Sequence, residues 1–325
     1  MKRNYKYLAF PIITAMIIWN LLGCVTVPFE IAGDLIGATG DVVGATGDVV
    51  GAVVSVPIDV AGAIVDIPPK HFDEHVSETR VWTKNAHDVE FIELDFENGS
   101  VDIRGSERDD IYIHTVKEIH ARSHRKAEDY LDDLRIHVEQ NGDVMQIYKT
   151  PRHDRNKDYY EKIRFEIEIP YTMDLDINTH NASIGICNVN GSMKAITHNG
   201  RISIEKSVGN LYAKTHNGHI HIESMELIGY GELITHNGAV KAEFPVIEDS
   251  LDVESHNGRV SVFLPHDFTG FLDARNDNGH ISSDYPVRIT TSSDKQLVGD
   301  IGDGYGPRIK INAQNGAIDI NKLDD

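Results

Sequence analysis

The residues best placed to do chemistry recur at one motif. The sequence reads Thr179-His180-Asn181-Ala182, Thr197-His198-Asn199-Gly200, Thr215-His216-Asn217-Gly218, Thr235-His236-Asn237-Gly238 and Ser255-His256-Asn257-Gly258. Asn276-Asp277-Asn278-Gly279 and Ala313-Gln314-Asn315-Gly316 repeat it without histidine, and Asn98-Gly99 is an early relative. If successive motifs stack as neighbouring strands, His180, His198, His216, His236 and His256 form an outward column at about 4.8 Å spacing. Imidazoles so spaced could jointly bind Zn, Cu or Ni, with His219 and His221 nearby. The same column would repel itself once protonated, near a pH of about 6.5. A uniform column offers no fixed ligand set and no supporting hydrogen bonds around it. A stacked ladder that serves the corner geometry is therefore the simpler reading.

Catalytic constellations are scarce. No serine sits in a G-x-S-x-G context, and neither H-E-x-x-H nor a P-loop occurs. Asp109-Asp110, Asp132-Asp133 and Asp324-Asp325 are neighbours in sequence and read as solvated charge. Asp273, Asp277, Asp300 and Asp303 are the best candidates for a polysaccharide-cleaving carboxylate set. The run from Gly299 to Gly304 reads better as a turn between late strands. The expectation is a protein that is not an enzyme.

The elements that must position these residues follow from the spacing. The core asparagines are Asn181, Asn199, Asn217, Asn237, Asn257, Asn278 and Asn315, so the steps are 18, 18, 20, 20, 21 and 37. The last is close to two periods. A constant step of this size marks a supersecondary unit stacked on its own copies. Within Leu211–Ile222, Leu211, Ala213 and Thr215 alternate with Tyr212, Lys214 and His216, and Ile220 and Ile222 alternate with His219 and His221. Period two puts one face inside and one outside. Asn-Gly supplies the corner, and a second turn is expected at Val208-Gly209-Asn210.

Two all-β architectures fit. Asn-Gly between alternating strands is a strong hairpin signal, which would give an antiparallel meander. The alternative is a β-solenoid of 18–21-residue coils, β-helix-like. The solenoid is preferred because Thr, His and Asn repeat as a set, and a solenoid sets each copy directly on the next. The asparagines then form a mainly structural hydrogen-bonded ladder. Residues 71–170 are less regular, with strands at Val89–Ile103, Ile111–Ile119, Ile136–Val138, Val144–Tyr148 and Ile163–Ile169. Ser123–Leu134 reads as the one short helix, with Ser123 as N-cap, suited to capping an edge. Residues 171–325 are the repeat solenoid.

The amino terminus is of another kind. Lys2, Arg3 and Lys6 precede a mostly apolar stretch, Leu8–Leu22, too short to span a bilayer and suited to a signal. Leu21-Leu22-Gly23-Cys24 resembles the lipobox of bacterial lipoproteins. The resemblance implies a signal peptide over 1–23, cleavage before Cys24 and covalent lipid at Cys24. Several acyl chains hold a domain where one alone binds marginally. Val25, in place of Asp, favours the outer membrane in the systems it resembles. Residues 24–70 are the anchor and tether. Within them, residues 33–54 carry Gly33, Gly37, Gly40, Gly44, Gly47 and Gly51 in alternating steps of four and three. Each glycine costs about 1 kcal/mol relative to alanine in a helix. The segment is therefore a flexible tether, or a membrane-apposed or self-associating helix whose partner offsets that cost.

Charge narrows the partners. Lys and Arg total 31 and Asp and Glu 51, giving −20. Removing Lys2, Arg3 and Lys6 with the signal leaves −23 over 302 residues, since 325 − 23 = 302. Such a balance argues against nucleic acid, which needs a basic face. It also argues against simple docking on anionic lipid.

Residues 167–186 (IEIPYTMDLDINTHNASIGI), the recurring Thr-His-Asn-Gly strands and residues 298–320 (VGDIGDGYGPRIKINAQNGAIDI) resemble the bacterial putative-adhesin β-strand-repeat domain of unknown function. They are also similar to the head domain of autotransporter adhesins. The likeness spans about residues 88–322. It implies a β-helix-like fold at the cell envelope and brings no catalytic residues. The histidine-rich corners depart from the usual repeat. The expected protein is a non-enzymatic, lipid-anchored envelope lipoprotein. It presents a solenoid for adhesion, scaffolding or binding of an envelope protein or glycan, with no cofactor beyond its lipid. The competing readings are a metal- or pH-responsive protein acting through the histidines, and last a carbohydrate-active enzyme.

Overall fold

A computed structural model describes residues 72–151, 158–293 and 295–323. The signal, Cys24 and the glycine-spaced segment 33–54 lie outside the described residues.

The first elements are β1 (Glu74–Asn85), β2 (Phe91–Ser106), β3 (Asp110–Ala121), α1 (His124–Asp133), β4 (Arg135–Asn141), β5 (Val144–Thr150), β6 (Tyr159–Pro170) and β7 (Asp174–Cys187). Then come β8 (Met193–Thr197), β9 (Ile202–Glu205), β10 (Val208–Thr215), β11 (Ile220–Glu223), β12 (Glu226–Asn237), β13 (Val240–Glu243) and β14 (Val246–Ile247). The chain continues through β15 (Leu251–Asn257), β16 (Val260–Leu264), β17 (Gly270–Asn278), β18 (Ile281–Ser283), β19 (Val287–Ser293), β20 (Gln296–Ile301), β21 (Arg308–Asn315) and β22 (Ile318–Lys322).

Sequence alternation becomes alternating burial. Leu211, Ala213 and Thr215 are buried, whereas Lys214 is exposed. Past the corner, Ile220 and Ile222 are buried. Each fully buried Ile or Leu contributes roughly 1.5–3 kcal/mol over its exposed state. These rows form one continuous core.

Register decides between the two expected architectures. Ala213 pairs in parallel with Ala195 on one side and Leu233 on the other. A hairpin across Asn-Gly would instead pair β10 with β11 antiparallel. The fold is therefore the parallel stack. Its first side runs β5, β2, β7, β8, β10, β12, β15, β21, β17. Its second side runs β6, β2, β7, β9, β11, β13, β16, β22, β18. The long strands β2 and β7 pass the corner and serve both sides. A short third side links Thr172, Asn190, Val208, Glu226 and Val246 in parallel. The turn expected at Val208-Gly209-Asn210 is this third side, followed by a register shift between Gly209 and Leu211.

Two levels are out of chain order. The β5–β6 level lies against one side of β2, while β7 lies against the other. At the far end β21–β22 sits between β15–β16 and β17–β18. The final asparagine step of 37 is thus not two unbroken periods.

The ends change to antiparallel pairing. β3 covers β6 and β1 covers β3, while β4 covers β5. At the other end β20 covers β17 and β19 covers β20. Helix α1 packs on β1 and β3, burying Ala127. Ser123 takes the N-cap position, but its side chain makes no cap bond. The helix is secured at its other end. Lys117, 2% exposed, donates from Nζ to the carbonyls of Leu134 at 2.8 Å and Leu131 at 3.3 Å, and it ion-pairs with Glu78. A cation there complements the helix C-terminus. Burial alone would raise the Glu78 carboxyl. Hydrogen bonds and charge from Lys117 and Arg80 outweigh it and hold the group below its ordinary value.

Candidate functional site

Each corner is built from four rows. The innermost is a buried hydroxyl. Thr197 Oγ1 donates to the Ala182 carbonyl at 2.9 Å, Thr215 to Gly200 at 3.1 Å and Thr235 to Gly218 at 3.0 Å. These bonds satisfy buried polar groups that would otherwise cost about 1–3 kcal/mol each. The glycine row follows from close approach: a Cβ on Gly218 would lie 1.9 Å from the Gly200 carbonyl oxygen.

The asparagine row is a continuous amide ladder. Each Nδ2 donates to the Oδ1 of the next level: Asn181 to Asn98 (2.8 Å), Asn199 to Asn181 (2.6 Å), Asn217 to Asn199 (2.7 Å) and Asn237 to Asn217 (2.8 Å). It continues through Asn257 to Asn237 (2.8 Å), Asn315 to Asn257 (2.9 Å) and Asn278 to Asn315 (3.0 Å). All seven expected asparagines are in it, with Asn98 at its start.

The histidine row stands beside it. His180, His198, His216, His236 and His256 stack with centroids 4.8, 4.7, 4.6 and 4.3 Å apart and interplanar angles of 6–11°. Near-parallel rings one level apart set their nitrogens side by side rather than toward a common point. Among the described residues no group of three His, Cys, Asp or Glu side chains is arranged to hold a metal ion. His219 is engaged separately, its Nδ1 accepting from the Ala239 amide at 2.9 Å, and His221 lies 3.5 Å from Glu223. Partial desolvation, then the neighbours His256 and His216, hold the His236 imidazole below its ordinary value. In register with the histidines, Glu97 occupies one end of the column, and Gln314 and then Asp277 the other.

The carboxylates considered for glycoside cleavage have local roles. Asp273 is buried and accepts from Arg275 at 2.8 and 3.3 Å and from Arg308 at 3.2 Å. Those bonds, Arg275 first, hold its carboxyl below the ordinary range. Asp303 accepts from the Tyr305 amide at 3.0 Å within a turn. Asp277 is in the corner row, and Asp300 pairs along β20 with Phe271 and Arg288.

Sequence reading missed a second charged cluster, on the outer face of β3, β6 and β2. His114 Nδ1 meets Glu166 Oε2 at 3.0 Å, and Glu166 is the register partner of Asp102. Desolvation, then the Glu166 charge, push the Asp102 carboxyl up to about 6. Period-two alternation places these residues outside but says nothing of which strands meet. Lys149 and Glu161 are likewise a buried ion pair, which Glu97 joins at 3.3 Å. The sequence leaves Cys187 as a lone thiol once Cys24 is lipidated. In the structure Cys187 is disulfide-bonded.

Residues 171–321 match the family model described as Toastrack DUF4097. No curated protein matches the chain. Among solved structures, a putative cell adhesion protein from Clostridium sporogenes is 12% identical, covering 77% of this chain and 100% of its own, with a TM-score of 0.32. A putative adhesin from Bacteroides fragilis is 10% identical, covering 77% and 98%, at 0.31. A putative lipid binding protein from Parabacteroides distasonis is 15% identical, covering 76% and 97%, at 0.31. At these identities and scores the likeness says nothing about activity. The repeat portion, residues 171–321, is similar to the Toastrack DUF4097 domain, and its stacked corners are those of a β-solenoid-like repeat.

Proposed function

We propose that the chain is a non-enzymatic lipoprotein of the bacterial cell envelope, held at the outer membrane by lipid on Cys24. Its solenoid is presented for adhesion or scaffolding to an envelope protein or glycan. One observation carries this reading. The polar side chains at the repeated corner are spent on bonds between levels, in the Thr and Asn rows, rather than converging on one reacting atom. A surface of equivalent rows suits extended partners. The basic start, short apolar stretch and Leu21-Leu22-Gly23-Cys24 support the anchor.

The Cys24 sulfur can carry a thioether-linked lipid or join a disulfide, but not both. The chain has two cysteines, so an intrachain bridge at Cys187 and a lipid at Cys24 are alternatives. Labelling with radioactive palmitate and membrane fractionation in a bacterial host test this. The wild type and Cys187→Ser are expected to be labelled and membrane-bound, and Cys24→Ser to be unlabelled. An unlabelled wild type, or label retained in Cys24→Ser, refutes the anchor.

A second reading, a pH response, is favoured by the histidine stack. Parallel rings at 4.3–4.8 Å cannot all be protonated without repulsion. The stack gives the metal reading no such support.

A further inference from the structure

The histidine corner is a ridge with balanced permanent charge on an acidic chain. On its five levels the outward row two residues before the histidines is Asn178, Ile196, Lys214, Ile234 and Glu254. The row after the glycines is Ser183, Arg201, His219, Ala239 and Arg259. The permanent charges in these two rows are Lys214, Arg201 and Arg259 against Glu254, 3 − 1 = +2, and with Glu97 and Asp277 at the ends of the column the sum is 2 − 2 = 0, where the whole chain is −20. Lys214 and Arg201 are exposed, and among the described residues neither enters an ion pair. Arg259 has only Asp319, at 3.6 Å. Of the other titratable groups, Glu97 and Asp277 stand at the two ends of the column, Asp95 and Arg275 continue the flanking row there, with Arg275 bonded to Asp273, and His221 faces Glu223. Fields from more distant acids are screened beyond about 8 Å at physiological ionic strength.

Protonating His180, His198, His216, His236 and His256 would raise this ridge by five charges. Rings 4.3–4.8 Å apart then repel along the column. Anions lying along the outer edges of the rings would relieve that repulsion. Proton uptake and anion binding must then favour each other, since linkage is reciprocal. The ligand this favours is linear, with one negative charge recurring about once per level of about 4.8 Å. That spacing is comparable to the advance of one sugar along an extended glycan.

We propose that the histidine corner is a binding rail for a linear polyanionic glycan, engaged as the imidazoles take up protons. The proposal deepens the adhesion reading by naming its ligand class, and it rests on that reading only for where the ligand is met.

The test uses the full chain in non-ionic detergent on immobilised alginate, a linear carboxylated glycan, at a pH of about 5.5 and about 7.5. Binding is expected to be at least about tenfold tighter at the lower pH and to fall steeply with added salt. Neutral dextran should not bind. The triple variant His198→Gln, His216→Gln and His236→Gln should lose the pH dependence. If it fails to fold by circular dichroism, Lys214→Gln with Arg201→Gln should weaken binding at the lower pH by several-fold. Alginate binding independent of pH, unchanged in these variants or matched by dextran overturns the proposal. So does preference for single-stranded DNA over alginate. Cys24→Ser should bind alginate like the wild type, so failure of the lipid anchor and failure of the rail are read separately.

Discussion

A single asparagine in the ladder holds two levels at once. Asn237 donates to Asn217 and accepts from Asn257, both at 2.8 Å. Asn237→Ala removes both bonds and should cost about 1–3 kcal/mol in urea unfolding, at about 0.5–1.5 kcal/mol per bond. Asn278 makes one ladder bond, to Asn315, so Asn278→Ala should cost about half as much. Equal losses at the two positions would contradict a bond-by-bond ladder. At this scale the sequence was informative. Asn-Gly alone reads equally well as a hairpin, and the repetition of Thr and His with it is what favoured stacking. The job of the Thr hydroxyl was not legible, because its acceptor is a carbonyl of the adjoining level, 15–17 residues away.

Among the elements, Asp102 on the outer face of β2 has a pH dependence opposite to that of Glu78 on β1 and Asp273 on β17. The Asp102 carboxyl is raised to about 6. A raised group contributes full stability below its unfolded value of about 3.9, and that contribution is lost as pH rises through about 6. Asp102→Asn should therefore stabilise the protein at a pH of about 8 and change little at about 4, by under about 1 kcal/mol because the carboxyl is only partly desolvated and water still reaches and screens the residue. Denaturant midpoints at the two pH values check this, and equal shifts at both would refute it. Glu78 and Asp273 are lowered, so their contributions are present above the ordinary carboxylate range and lost on acidification. Most strands of this part were legible from alternation, but β1 was not, and Asn98-Gly99, which reads as a turn, lies inside the continuous β2. The capping helix was also legible, but its anchor Lys117 was not. A lysine within an alternating strand gives no sign that its amine lies beneath a helix end.

For the molecule as a whole, the parallel stack was legible from the repeated Thr-His-Asn set, but the order of its levels was not. Period records how far apart corners are along the chain, not which corner lies on which. Asn257 meets Asn315, and Asn278 lies beyond it. Ending the chain after Gly304 would delete β21 and β22, an internal level rather than a cap. β15 and β16 would be left with open edges, and β17 and β18 without their parallel partner. Such a truncation should lower the melting temperature sharply and aggregate in sedimentation. A soluble truncated chain with an unchanged melting temperature would refute this placement.

The inserted level also bears on timing. A chain emerging amino end first can lay down β7 to β16 in order, each level landing on the one before it. The level that must follow, β21–β22, is made last, after β17 to β20. Closure of this end must therefore wait until residues up to Lys322 have been made. Until then β16 presents an unpaired edge. This end of the stack is therefore the last to complete its backbone pairing.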